Sequence, residues 1–440
     1  MQNKKDQINY DLIYRKNSKK KSIISRRRYI MNADELKREA SEMKADLIEK
    51  RKFLHMHAET GFELKNTLTY VKNELEKMGY TPELCGRAGL VAIAGGKKPG
   101  KVFLLRADMD ALPIKEQADV DFASENGCMH ACGHDMHTAM LLGAASLLKK
   151  HEDEIAGTVK IMFQPAEEIF EGSDDMIRAG LLENPTVDGA LMIHVMTGMP
   201  FEPGTVIVSD PGVSAPAADY FEIRVKGKGC HGSMPNMGID PLTAAAYILI
   251  SLQEIQAREL AMTDRAVLTI GTMHAGNAAN AIPDEAVMGG SLRTFDEEIR
   301  SSIKERITDI SLGIAKAFRA EAKVTFGSGC PTLKNDKELS RDAYRYVKEL
   351  LGTNMAFTVN QLNTGSEGGG AAKSAGSEDF AYISQKVPSV MLALAAGQPE
   401  KGYSYPQHHP MVKFDNDALD IGSSVYAYTA LRWLEDHAGN

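Results

Sequence analysis

The sequence predicts an α/β protein with two domains: a main domain with a mixed, largely parallel sheet flanked by helices, and an inserted βαββαβ domain. Short apolar runs alternate with helical patterns in the first half of the chain, as in layered α/β folds. The pattern changes near Pro211 and returns after Pro331. With 440 residues, 43% of them hydrophobic, the chain can build two domains of ordinary size.

We assign the main domain to residues 31–210 and 329–440. Helical spacing of apolar residues predicts its first two helices at 34–59 and 67–78. Later elements are strands at 90–94, 101–106, 158–163, 189–193 and 389–395, and helices at 138–150, 337–351 and 416–435. Because alternating strands and helices favour parallel pairing, polar residues that follow these strands should meet at one sheet edge.

Residues 211–328 are predicted to form the inserted domain. Its elements are a strand at 219–226, a helix at 240–258, strands at 266–272 and 285–293, a helix at 296–319 and a strand at 321–327. This is the order of a ferredoxin-like βαββαβ unit.

Charge and cysteine content indicate which binding partners and which cell compartment the protein is suited to. Residues 1–30 carry ten Lys/Arg against two Asp, which we interpret as a basic, disordered extension; binding to an anionic surface is the alternative. The acidic remainder disfavours a nucleic-acid partner. No apolar run is long enough for a membrane span or a signal peptide. Five dispersed cysteines are typical of reduced thiols, so we expect a cytoplasmic protein.

The ten residues 128–137 contain two thiols, three imidazoles and a carboxylate. Cys132 and His134 flank Gly133 and can face one metal ion if the backbone turns there. Cys128 is a further ligand candidate or a disulfide partner of Cys132. The remaining polar members of the stretch are structural or supporting candidates: His130, Asp135 and His137.

Carboxylates follow two predicted strands. Glu167 and Glu168 come directly after one strand, so one can bind a metal ion while the other acts as a base; a solvated loop is the alternative. Asp108 and Asp110 follow another, and Asp110 is suited to orient a ligand histidine. His194 ends a third strand, where a core histidine is an equal interpretation. His408 and His409 offer a late imidazole.

Taken together, these motifs resemble the co-catalytic metal amidohydrolases, which include hippurate hydrolases, aminoacylases, auxin-conjugate hydrolases and N-acetyl-diaminopimelate deacetylases. The resemblance covers nearly all of residues 31–440. Its further motifs are Arg51-x-x-Leu54-His55, Gly61-Phe62-Glu63, Arg106 to Pro113, and Ser377-Glu378-Asp379-Phe380.

The resemblance implies two divalent metal ions per subunit, with zinc, manganese, cobalt or nickel as candidates. The implied ligands are Cys132, His134, Glu168, His194 and His408, with His408 favoured over His409. Glu167 takes the role of general base and acid. The inserted domain resembles a lid and dimerisation domain, which implies a homodimer or homotetramer. There, His231 would help to polarise the scissile carbonyl, and Asn280 and Arg293 are suited to the substrate carboxylate.

The function implied by the resemblance is hydrolysis of the amide bond of an N-acyl amino acid, of N-acetyl or N-benzoyl type. A dipeptidase or carboxypeptidase-like enzyme and an N-carbamoyl amide hydrolase are alternatives on the same fold. A non-enzymatic metal- or peptide-binding protein is a further alternative. The last alternative is a thiol hydrolase with Cys132 as nucleophile and His134 as base. The activity of such an enzyme would resist chelators.

Overall fold

The structure is a computed structural model that describes residues 32–363 and 376–438. The predicted basic extension and the glycine-rich segment 365–370 lie outside the described residues. In the described part of the chain, no helix is both long and apolar enough to cross a membrane.

The main sheet has eight strands in the order β1-β2-β4-β3-β5-β16-β6-β15. They are β1 (Glu83–Cys85), β2 (Gly89–Gly95), β3 (Val102–Asp108), β4 (Thr158–Gln164), β5 (Gly189–Met196), β6 (Val206–Val208), β15 (Ala356–Thr358) and β16 (Ser389–Ala395). The central neighbours β4, β3, β5 and β16 run parallel. The pairings β1/β2, β2/β4 and β16/β6 are antiparallel, so the predicted mixed sheet is confirmed.

Helices cover both faces of this sheet. They are α1 (Ala33–Glu42), α2 (Lys44–Met56), α3 (Lys65–Lys77), α4 (His134–Lys150), α5 (Gly172–Arg178), α8 (Lys337–Leu351), α9 (Val359–Asn363), α10 (Ala381–Ser384) and α11 (Leu419–Asp436). Helices α4 and α11 pack against each other and against β3, with α1 and α2 outside them. Every residue of β3 and β4 is buried, as expected for central strands covered on both faces.

A second sheet of four antiparallel strands has the order β10-β12-β8-β13. Its elements are β8 (Ala217–Lys226), α6 (Pro241–Glu254), β10 (Ala266–Ala275), β12 (Glu285–Thr294), α7 (Glu297–Ala317) and β13 (Glu321–Cys330). They follow one another as βαββαβ, and Ile223, Ile248 and Ile307 lie in their shared core. Two short ribbons, β7 (Gly212–Ala215) with β14 (Leu333–Asn335) and β9 (Cys230–His231) with β11 (Ala281–Ile282), complete the strands. The domain boundaries and the lid role stay predictions.

Some element boundaries differ from the predicted ones. The helix predicted at 34–59 is two helices, because α1 ends at Glu42 and α2 begins at Lys44. Helix α4 begins at His134, four residues before the predicted start. Strand β5 continues to Met196, so His194 lies inside the strand and does not end it. The last two differences place predicted ligands on regular secondary structure.

Candidate metal centre

The carboxyl ends of three parallel strands meet at one edge of the main sheet. Strand β3 ends at Asp108, β4 ends at Gln164 just before Glu167, and β5 carries His194 near its end. Parallel pairing of β3 with both neighbours brings these ends together. The expectation that polar residues gather at this edge is therefore met by the fold.

Gly133 allows Cys132 and His134 to reach the same space. Its φ of 92° lies in the left-handed region, and helix α4 begins at the next residue. A Cβ at this position would lie 2.4 Å from Val195 Cγ2. Glycine is therefore required both for the turn and for the close approach of β5.

All five predicted ligands lie in one cluster. The Cys132 Sγ is 3.6 Å from His194 Nε2, and His134 Nε2 is 3.9 Å from Glu168 Oε1. The His408 Nε2 is 3.6 Å from Glu168 Oε2. Within each of the trios Cys132-His134-His194 and Cys132-Glu168-His408, the ligand atoms are within 4.8 Å of one another.

The hydrogen bonds of the cluster leave lone pairs directed at its centre. His134 Nδ1 donates to the backbone carbonyl of Asp110 at 2.7 Å, so the lone pair of this imidazole is on Nε2. That nitrogen and Glu168 Oε1 are buried without a hydrogen-bond partner in the described part of the chain. Buried acceptors that face one another without a donor are costly. A divalent cation satisfies them, so the donor set fits a metal ion.

The electrostatics of the cluster also favour a cation. Burial lowers the pKa of His134, but Asp108 and Cys132 outweigh it and raise this pKa well above its ordinary value. Burial, reinforced by Glu168, raises the pKa of the Cys132 thiol. Burial raises the pKa of Glu168 to about 7. Thus Cys132, His134 and Glu168 bind protons tightly when no other positive charge is present, as expected of groups that a metal ion would deprotonate, whereas burial lowers the pKa of His194 and His408 and keeps these imidazoles neutral.

Glu167 lies beside these ligands and is held from its backbone. Its N–H donates to Asp110 Oδ1 at 2.9 Å, and the N–H of Glu168 donates to Asp110 Oδ2 at 3.2 Å. Ala166 has a positive φ of 55° and donates its N–H to Gly61 O at 3.1 Å. Burial first, then Glu378, raises the pKa of Glu167 well above its ordinary value. A carboxylate in this setting is a strong proton acceptor once ionised.

Arg106 organises a buried charge network that was not assigned from the sequence. Its guanidinium donates to Asp108 Oδ2 at 2.6 Å, to Glu378 Oε1 at 2.8 Å and to Asp379 Oδ1 at 3.0 Å. Carboxylate oxygens of Glu167, Glu378 and Asp379 lie within 4.8 Å of one another. The Arg106 and Ser377 to Phe380 motifs were visible in the sequence, but their contact depends on the sheet. This network therefore holds the carboxylates of Glu378 and Asp379 in place beside Glu167.

A second buried network joins α2 to α4. Asp135 Oδ2 accepts from Arg51 Nε and from His55 Nδ1, each at 2.9 Å. Arg51 also donates to the carbonyl of Phe414 at 2.9 Å and to Asn416 Oδ1. Arg51 therefore connects the start of α4, which carries His134, to the segment that follows His408.

The structure separates His408 from His409. His408 has a positive φ of 65° and donates its N–H to the carbonyl of Ala131 at 2.9 Å, which brings its ring to Glu168. The His409 ring instead accepts from the N–H of Met411 at 3.1 Å and stacks on Tyr405. The geometry therefore agrees with the preference for His408 as the ligand.

The residues predicted for substrate contact lie in two places. Arg293 donates to Ser377 Oγ at 2.6 Å and to the Tyr220 hydroxyl at 3.0 Å, so it reaches the segment that carries Glu378. His231 is exposed on β9, and Asn280 is exposed in the turn directly before β11. In the described residues, no hydrogen bond or ion pair connects these two to the ligand cluster.

All five cysteines are free in the structure, which removes the alternative of a disulfide between Cys128 and Cys132. Cys128 is only partly buried, and its N–H donates to Asn126 Oδ1. No group of ligand-type side chains in the described part of the chain includes Cys128. Cys132 alone supplies sulfur to the cluster.

Known proteins resemble the chain over almost its full length. The model of peptidase family M20/M25/M40 matches residues 104–432. N-acetylcysteine deacetylase of Bacillus subtilis (strain 168) is 35% identical over 394 residues, 88% of this chain and 97% of that protein. N-acyl-L-amino acid amidohydrolase of Geobacillus stearothermophilus is 39% identical over 304 residues, 68% of this chain and 80% of that protein.

A solved structure shares the fold and the family. The Bacillus subtilis YXEP protein, a dinuclear metal binding peptidase from the M20 family, superposes with a TM-score of 0.71 at 33% identity. The match covers 90% of this chain and 99% of that one. The resemblance inferred from the sequence motifs is confirmed by these matches.

Proposed function

Because the chain belongs to peptidase family M20/M25/M40, we propose that it hydrolyses the amide bond of N-acyl amino acids and releases a carboxylic acid and a free amino acid. The observation that carries this proposal is the convergence of Cys132, His134, Glu168, His194 and His408 beside Glu167. Relatives named as deacetylase and amidohydrolase of acylated amino acids support the substrate class.

Two divalent metal ions per subunit are part of the proposal. The five ligand side chains would hold them, and their sulfur, nitrogen and oxygen donors suit zinc, cobalt or nickel, with manganese as a further candidate. When bound, such ions lower the pKa of water and polarise the scissile carbonyl. The buried, unpartnered His134 Nε2 and Glu168 Oε1 support this assignment.

Glu167 is the proposed general base and acid. Its carboxylate takes a proton from the attacking water and returns it to the amide nitrogen as the C–N bond breaks. Asp110 fixes the backbone N–H groups of Glu167 and Glu168, so the base and the neighbouring ligand are held in one orientation. The buried network of Arg106, Glu378 and Asp379 lies beside the Glu167 carboxylate.

The substrate is oriented by residues of the inserted unit. Arg293 forms charge-assisted hydrogen bonds with the free α-carboxylate, and Asn280 assists. His231 donates to the oxyanion that develops at the scissile carbonyl. The exposed position of His231 on the β9/β11 ribbon is compatible with a group that contacts a ligand only after the ligand binds.

Turnover of a panel of substrates separates this function from its alternatives. We expect turnover of N-acetyl and N-benzoyl amino acids, including hippurate, loss of turnover after chelation, and recovery on addition of zinc, manganese, cobalt or nickel. Dipeptides and N-carbamoyl amino acids are the competing substrates in the same panel. Preference for either of those, or activity that resists chelators and is abolished by iodoacetamide, would replace the proposal.

We further propose a homodimer in the cytoplasm. Exposed apolar side chains on α6, such as Tyr247 and Ile250, support association through the inserted unit. Five free thiols support a reducing compartment. Light scattering during gel filtration, with Ile250→Glu compared with the wild type, tests the dimer. Cell fractionation tests the compartment.

A further inference from the structure

The backbone of Val195 lies between two imidazoles of the metal centre. Its N–H donates to His137 Nε2 at 2.8 Å. Its carbonyl oxygen accepts from His194 Nδ1 at 2.8 Å. His137 is fully buried, and its ring lies 4.7 Å from that of His194 in an edge-on arrangement. Two successive peptide groups, one on each side of the Val195 Cα, therefore each make a hydrogen bond to one ring.

These partners determine which nitrogen of each ring carries the proton. A carbonyl oxygen only accepts, so His194 Nδ1 must be protonated and its lone pair must be on Nε2, the atom 3.6 Å from Cys132 Sγ. A backbone N–H only donates, so His137 Nε2 must be unprotonated and its proton must be on Nδ1.

The proton on His137 Nδ1 has an acceptor that is itself fixed. Asp108 Oδ1 accepts it at 2.6 Å, and Asp108 Oδ2 accepts from Arg106 at 2.6 Å. All three side chains are buried. The connection therefore runs from Arg106 through Asp108 and His137 to the N–H of Val195, and every donor in it meets an acceptor.

Gln407 also contacts the backbone of Val195. Its Nε2 donates to the carbonyl of Val195 at 2.9 Å and lies 3.4 Å from His194 Nδ1. Gln407 directly precedes His408, so the second donor on this carbonyl comes from the loop that carries another ligand.

We propose that His137 is a positioning residue for the metal centre, which fixes the backbone of Val195 so that His194 presents Nε2 to the metal ion. This rests on the proposed metal-dependent function. Both ring nitrogens of His137 are already in hydrogen bonds, so in this proposal His137 acts through the backbone of Val195 and not as a ligand. Outer hydrogen-bond partners of ligand histidines typically change metal affinity by about 10- to 100-fold.

Two substitutions separate the two hydrogen bonds of His137. In His137→Gln, the amide oxygen takes the place of Nε2 and accepts from the N–H of Val195. In His137→Asn, the amide nitrogen takes the place of Nδ1 and donates to Asp108, but the Val195 N–H loses its acceptor. His130→Asn is a matched control, because His130 is equally buried in the same stretch and neither ring nitrogen has a partner in the described residues.

The affinity for zinc is measured by competition with a chromogenic chelator, alongside the urea midpoint of each variant. We expect about 10- to 100-fold weaker zinc binding in His137→Asn, affinity within about threefold of wild type in His137→Gln, and an unchanged affinity in His130→Asn. Equal losses in both His137 variants, or wild-type affinity in His137→Asn, would overturn the proposal.

A second measurement does not depend on the folding of any variant. Nitrogen-15 NMR of the wild-type holoprotein reports the protonated nitrogen of each histidine, and we expect Nδ1 for both His137 and His194. An Nε2-protonated His137 contradicts the proposal. Both readouts are independent of turnover, so an inactive substrate panel would remove the proposed reaction and leave the positioning role to be decided by these data.

Discussion

The backbone carbonyl of Asp110 accepts the hydrogen bond of His134 Nδ1 at 2.7 Å, whereas the Asp110 carboxylate lies 3.7 Å from that nitrogen. The carboxylate instead accepts from the N–H groups of Glu167 and Glu168. The prediction that Asp110 orients a ligand histidine is therefore corrected in its detail: the main chain contacts the histidine, and the side chain holds the two glutamates.

The separate contacts of the Asp110 main chain and side chain predict the effect of Asp110→Asn. The amide NH₂ would face one of the two backbone N–H groups, which leaves a buried donor without an acceptor at a cost of about 1–3 kcal/mol. We expect kcat/KM to fall roughly 5- to 150-fold while the contact to His134 persists. Metal analysis and kinetics check this. Complete metal loss, matching that of His134→Ala, would contradict the separation.

Glu167→Gln tests the general base. The amide cannot accept the proton of water, and we expect a fall in kcat of roughly 10²- to 10⁴-fold with both metal ions retained. The control is Glu171→Gln, because Glu171 is a nearby acid paired with Arg87. Rates at saturating substrate and metal content by mass spectrometry are the measurements. A Glu167→Gln enzyme of full activity would exclude this role.

Arg293→Ala tests recognition of the substrate carboxylate. Loss of a charged hydrogen bond costs about 1.5–3 kcal/mol, so we expect KM for an N-acetyl amino acid to rise roughly 10- to 150-fold. The KM for the corresponding amide-capped substrate should change little. Arg224→Ala is the control, since Arg224 lies in the same sheet but pairs with Glu222 and Glu285. An equal rise for both substrates would argue against carboxylate binding.

His55 predicts a stability change with pH. Burial lowers its pKa, but Asp135 and Glu116 outweigh burial and raise the pKa to about 9. The raised value means that His55 stabilises the fold below its unfolded pKa of about 6.5 and loses this contribution as pH rises through 9. We expect the stability difference between wild type and His55→Gln to shrink by about 3 kcal/mol between pH 6 and pH 9.

Urea unfolding of both proteins at several pH values measures this difference. His57→Gln serves as the control, because the His57 ring contacts the Phe53 carbonyl and not a carboxylate. A difference between wild type and His55→Gln that is constant with pH, or that grows as pH rises, would show that Asp135 does not hold a charged His55.

Much of the fold follows from local pattern. Continuous apolar runs identified β3, β4, β5 and β16 because central strands are buried on both faces. Strands of three residues, such as β6 and β15, have too few residues to show a period and were missed. The split between α1 and α2 was also missed, because Met43 carries no proline or glycine signal.

The site was predictable where residue type alone carries the chemistry. Thiol, imidazole and carboxylate groups marked Cys132, His134 and the pair Glu167-Glu168, and the family resemblance selected Glu168, His194 and His408 as further ligands. The connection of His137 to His194 could not be read from the sequence, because it passes through a main-chain N–H and depends on how α4 meets β5. Arg106 was equally hidden, since its partners Glu378 and Asp379 lie far along the chain.

The ligand cluster spans the chain from Cys132 to His408. During synthesis, the first ligands therefore leave the ribosome long before the last, with the whole inserted unit and β16 between them. A truncated chain that ends before the final loop lacks His408 and gains less from metal than the finished one. For the finished chain, metal at a thousandfold excess over its Kd adds about 4 kcal/mol to the folded state. Metal binding therefore stabilises the fold fully only when the chain extends past His408.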